Sequence, residues 1–169
     1  MTHHRLTDVV ALVLSLALAG CSSSDDAPNT PDAAEAGDIP DPCSLLSAAD
    51  IEAVSGVAFQ PGVFNEDLST DFQSICDYSP VDGVFPLVQV LVSPGEAQVA
   101  TQRSTAGDML GGTVDVTVSG ASDAYAVAGG SIVGMAANGY FVQLSYMSSD
   151  VADVTSTTVS LAEVVVGAL

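Results

Sequence analysis

An apolar run from Val9 to Ala19 closes on Leu18-Ala19-Gly20-Cys21, and Ser22-Ser23-Ser24-Asp25-Asp26 follows at once. This pattern decides which residues are left to build a folded core. The run is shorter than the roughly 20 apolar residues that cross a bilayer. It has the apolar centre and small-residue cleavage point of a secretory leader, although its n-region carries only Arg5, opposed by Asp8. A core helix starting at Asp8 is the bland alternative, and the abrupt polarity after Cys21 speaks against it. The pattern reads as a bacterial lipoprotein signal over residues 1–20, with cleavage before Cys21 and lipid on its sulfur. Diacylglycerol, with or without an N-acyl chain, supplies the two chains that stable anchoring needs. Residues 22–40 are rich in Ser, Asp, Ala and Pro without apolar periodicity, so 21–40 reads as a lipidated flexible tether. The expected location is the extracytoplasmic face of the cell membrane, and the expected folded domain is 41–169.

Cleavage leaves 149 residues, enough for one domain with a core. It removes His3, His4 and Arg5, so the mature chain has no Lys, His or Trp, and Arg103 is its single basic side chain. The net charge stays at −19. Nucleic acid and anionic lipid surfaces repel such a chain and are excluded as partners. The acidity has two readings: hydration of a surface in salty surroundings, or collection of cations or a basic partner. The scatter of the charges favours the first.

With Cys21 taken by lipid, Cys43 and Cys76 remain as a pair in an oxidising compartment, which predicts a disulfide. Closing about 33 residues would stabilise the fold by roughly 2–4 kcal/mol. Redox activity would call for close C-x-x-C spacing. A single thiol pair without histidine cannot complete a zinc site. The missing His and Lys exclude a Ser-His-Asp triad, a Cys-His pair and a Schiff-base lysine. A carboxylate hydrolase stays formally open through Glu66, Asp67, Asp71 and Asp77, but acidic loop residues are usually only solvated. No D-x-[DN]-x-[DN]-G calcium loop occurs, and no cofactor is implied. Arg103 could anchor a ligand carboxylate, with Tyr78 and Tyr125 as further candidate contacts. The bland readings are an ion pair for the arginine and core or rim positions for the tyrosines.

Ser47 and Asp50 have capping-box spacing and Gly56 can end the helix, which predicts a helix over 42–55. Strands are expected over 72–79 and 84–92, turned through Asp82-Gly83, with Pro86 near the start of the second. Between Gly56 and the first of these, the stretch with Pro61, Gly62, Glu66 and Asp67 reads as a loop. Ser93-Pro94-Gly95-Glu96 looks like a helix start capped by Ser93. That helix would carry Val99, Arg103 and Ala106 on one stripe and stop at Gly107 or Gly111-Gly112. Strands follow at 113–119, 124–128, 132–136 and 140–147, the last two turned at Asn138-Gly139. On the last strand Tyr140, Val142, Leu144 and Tyr146 form the inward face. A closing helix over 150–168 has Val151, Val154, Thr158, Leu161, Val165 and Leu169 near one stripe. The order α-β-β-α-β-β-β-β-α is an antiparallel sheet packed by helices, an α+β fold.

Asp41-Pro42-Cys43-Ser44-Leu45-Leu46-Ser47, Cys76-Asp77-Tyr78 and Gly120-Ala121-Ser122-Asp123-Ala124-Tyr125 together resemble the DUF3558 lipoproteins of actinobacteria. The closing Leu161-Ala162-Glu163-Val164-Val165 segment fits as well, so the likeness spans about 41–169. It departs from the family pattern at Tyr78, where an aromatic such as Trp often stands, and in its lack of lysine. The resemblance implies an envelope lipoprotein with an α+β fold and a Cys43–Cys76 disulfide, and brings no activity. The expected function is a non-enzymatic module binding a small ligand or an envelope protein. The alternative is a structural lipoprotein without a small-molecule site.

Overall fold

The computed structural model describes residues 38–149 and 153–169. Cys21, the leader and most of the tether lie outside these, as does Val151. Ser47 accepts from the backbone N–H of Asp50 while Asp50 accepts from that of Ser47, so the capping box forms in full. It starts helix α1 at Ala48–Ser55, and Gly56 closes it in the left-handed region at φ 74°. The expected helix over 42–55 is therefore two pieces, because Pro42–Ser44 forms a separate 3-10 turn capped by Asp41. The chain continues through β1 (Val63–Phe64), β2 (Ser74–Tyr78), β3 (Leu87–Pro94) and α2 (Gln98–Leu110). It ends with β4 (Thr113–Asp115), β5 (Ser122–Val127), β6 (Ile132–Ala137), β7 (Tyr140–Met147) and α3 (Thr155–Ala168).

The strands form one antiparallel sheet of order β1-β2-β3-β7-β6-β5-β4. Two meanders meet where β3 pairs with β7, and α2 carries the chain from the middle of the sheet to its far edge. The fold is α+β with an antiparallel sheet, as expected, with β1 added where a loop was read. The β6–β7 hairpin turns at Asn138 (φ 50°) and Gly139 (φ 89°), the two left-handed residues of a type I′ turn.

One expectation is overturned at the second helix. Ser93 does not cap it: Ser93 and Pro94 pair with Phe141 and Tyr140 as the end of β3. The eight-residue β7 offers a partner for every residue of β3, and that pairing prevails over a local cap. Gly95 turns the chain at φ 91°, and α2 begins only at Gln98, without a side-chain cap. Glu96 instead accepts from the Gly139 N–H at 2.7 Å, tying the hairpin turn to the helix entry.

The first sheet face is sealed by α1 and α3. Cys76, Tyr78, Val88, Val90, Val92, Val133, Met135, Val142 and Leu144 pack there with Leu46, Ile51, Leu161 and Val165, all essentially inaccessible. Thr158 lies in this core too and donates to the Val154 carbonyl. The Cys43–Cys76 disulfide fastens the chain before α1 to β2. The second face is covered by α2 chiefly over β4, β5 and β6. A smaller cluster of Val99, Tyr125, Ala136 and Phe141 packs there; on β7 Phe141 and Ser145 are buried alongside Val142, Leu144 and Tyr146 of the expected inward set, while Tyr140 is half-buried.

Candidate functional site

The α2 stripe of Val99, Arg103 and Ala106 faces the sheet as its spacing demands. Arg103 donates through Nη2 to Asp115 at 2.6 Å and through Nε to Thr113 at 3.3 Å. Its guanidinium lies 5.8 Å from the centre of the Tyr125 ring. Because Asp115 is exposed, the ion pair contributes about 0.2–1 kcal/mol, with a comparable cation–π term. Tyr125 itself is buried, and burial raises its pKa while Arg103 partly offsets the shift. The structure thus brings two of the three candidate contacts together and gives the arginine a carboxylate of its own chain.

Tyr78 is elsewhere. It is buried in the core of the first face, where its hydroxyl donates to the Leu46 carbonyl. Burial, then the charges of Asp41 and Asp50, push its pKa up to about 12. Gly62 lies so close that a Cβ there would come within 2.6 Å of the Cys76 sulfur and of the Tyr78 ring. Tyr78 is an essentially inaccessible core side chain that holds the α1 approach to β2, although the residue also lines the cleft beside Leu68 and Met147.

Beside Arg103 a cleft of about 420 Å³ opens between α2 and the ends of β5 and β6, with Glu96, Arg103, Ser122 and Asp123 on its walls. A second region lies on the part of the sheet that α2 leaves open. Asp77 on β2 points to that face, where its two carboxylate oxygens accept from Asn65 Nδ2 at 2.6 Å and Gln89 Nε2 at 2.8 Å. Gln89 is its cross-strand partner on β3, and Asn65 follows directly on β1. Two clefts of about 340 and 510 Å³ meet at Asn65 and Asp77. The first is walled by Leu68, Leu87 and Met147, the second by Val63, Phe64, Glu66 and Asp67.

Three of the four acids considered for hydrolysis, Glu66, Asp67 and Asp77, thus share a cleft, while Asp71 is not on its wall. Asn65 and Gln89 carry no motif that singles them out. The one signal is parity: Asp77 and Gln89 interrupt apolar strands at positions facing away from the main core. Among the described residues no group of three or more His, Cys, Asp or Glu side chains is arranged to hold a metal ion. None of the described helices is long and apolar enough to cross a membrane. Comparison of the chain with protein-family models, with curated proteins and with solved structures found no match.

Proposed function

We propose that the protein is a lipid-anchored module on the extracytoplasmic face of a bacterial membrane that binds an envelope partner or ligand and performs no reaction. The unequal covering of the sheet carries this reading: one face is closed beneath two helices, while the other keeps a stretch around Asp77 and Gln89 uncovered. The lipobox at Leu18-Ala19-Gly20-Cys21 supports the location, as does the resemblance to the DUF3558 lipoproteins. A mature chain with no histidine or lysine lacks the usual proton shuttles, which supports binding over catalysis.

Metabolic labelling with an alkyne fatty acid tests the anchor. The wild-type chain is expected to carry label in the membrane fraction, and Cys21→Ser to lose both label and membrane retention. An unprocessed Met1 in the soluble cell interior would overturn the location. Native mass spectrometry of the detergent-extracted protein from its own host tests binding, through a co-purifying molecule at fixed stoichiometry. A wholly unliganded, partner-free protein would favour the structural alternative.

A further inference from the structure

We infer that the surface around Asp77 docks a polypeptide that presents a lysine or arginine among apolar side chains; this rests on the binding-module reading above and names its surface and partner. Eleven large hydrophobic side chains are exposed among the described residues, and four of them line the two clefts that meet at Asn65 and Asp77. These are Val63, Phe64, Leu68 and Met147, the last at the end of β7; four more, Phe72, Val81, Val84 and Phe85, are exposed on the chain segments either side of β2. Phe72 and Val84 are each 74 % exposed. Scattered single hydrophobics are ordinary on a surface, but a concentration of them marks an interaction site. The two clefts that join at Asn65 and Asp77 make the region continuous from β1 to Met147.

Charge selects the occupant. Glu66 and Asp67 are exposed on the wall of this surface, Asp71 and Asp82 are exposed on the segments either side of β2, and no basic residue occurs between Arg5 and Arg103. A second copy docking face to face would set the same carboxylates against one another, since a twofold interface is self-complementary. An anionic lipid surface meets the same repulsion. A cationic group among apolar side chains answers both features.

Asp77 is suited to receive it. A carboxylate has about four acceptor positions, and the amides of Asn65 and Gln89 occupy two while fixing its orientation. Small-molecule sites enclose most of their ligand. These clefts instead spread over β1, both loops flanking β2 and the end of β7, which fits a polypeptide.

In-cell photo-crosslinking of the full-length protein in its native host provides the test. A benzophenone amino acid replaces Leu68, with Met109 and Ala100 as comparison positions, and adducts are mapped by peptide sequencing. The Leu68 probe is expected to join a segment of another protein that carries Lys or Arg near the crosslinked residue. Yield of that adduct should fall about threefold or more with Asp77→Asn, and likewise with Glu66→Gln/Asp67→Asn, whose exposed side chains leave the core untouched. Adducts at Leu68 with lipid, with a second copy, with a segment lacking basic residues, or with none of these overturn the inference. So does a basic-segment adduct whose yield both charge variants leave unchanged. If adducts arise at Ala100 or Met109 but not at Leu68, this surface fails while the binding-module reading stands; no adduct at any position removes both.

Discussion

Tyr125 and Tyr78 show how single close contacts fix each face of the sheet. Gly134 sits opposite Tyr125 in the β5–β6 register, and a Cβ on it would come within 2.5 Å of the Tyr125 ring. The ring covers the bare backbone, which is why Tyr125 is buried although α2 touches the sheet only locally. Gly134→Ala is expected to destabilise the fold by about 1–3 kcal/mol, the range for an overpacked core, read as a fall in urea midpoint with an unchanged m-value. An unchanged midpoint would mean that the ring is free to move aside. Tyr78 makes a pH prediction. Its pKa is about 12 in the fold and near 10 in the unfolded chain, so above pH 10 the unfolded state loses its proton first. Stability from this group is complete below pH 10 and declines between pH 10 and 12, by up to about 2–3 kcal/mol. Tyr125 and Tyr146, also raised by burial, act in the same direction. Urea unfolding from pH 9 to 12 should show this decline, and Tyr78→Phe should flatten its steepest part.

At the scale of elements, the entry to α2 separates local signals from pairing. If Ser93 capped the helix, Ser93→Ala would cost about 1 kcal/mol through helix fraying. In the strand, Ser93 has only a 3.2 Å hydrogen bond with Gln98, whereas Gly95 holds φ 91°. Gly95→Ala is therefore expected to cost about 1–2 kcal/mol and more than Ser93→Ala in chemical denaturation; the reverse order would restore the cap. The disulfide acts at this scale too. Reduction should lower stability by roughly 2–4 kcal/mol and expose the Leu45–Ile51 region first in hydrogen exchange, because Cys43 ties it to β2. Much of this architecture was legible in advance. The Ser47–Asp50 box, the Asn138-Gly139 turn and the alternation on β7 are local patterns with one structural solution each. What was hidden depended on remote partners. Val63–Phe64 is a strand only because Asp77 and Cys76 lie opposite it, and Thr113–Ser119 shortens to Asp115 because the edge has one neighbour. The Arg103 stripe was visible, but Asp115 as its partner was not. The Asn65–Asp77–Gln89 arrangement joins three segments and leaves no pattern in any one of them.

For the whole molecule the dominant fact is a charge of −19 with Arg103 as the one described cation. A single ion pair worth a fraction of a kilocalorie cannot offset repulsion among so many carboxylates. The fold therefore rests on its sealed face and its disulfide, and the surface works against compaction whenever ions are scarce. Screening should reverse this. The Debye length falls from about 30 Å at 0.01 M to about 3 Å at 1 M salt, so repulsion spread over the molecule is largely removed, while the exposed Arg103–Asp115 pair has at most a fraction of a kilocalorie to lose. The thermal midpoint should rise steadily with sodium chloride over this range, chloride being chosen because sulfate would also strengthen apolar burial. Glu66→Gln/Asp67→Asn separates the two origins of the acidity. If the charges serve only hydration in salty surroundings, removing two of the 21 acidic residues barely alters the salt response. If the acids beside Asp77 are grouped for a basic partner, their local repulsion is concentrated, and the variant should gain stability chiefly at low salt. A midpoint independent of salt in the wild-type chain would show that the carboxylates stand too far apart to strain the fold, and would remove general self-repulsion as an account of its surface.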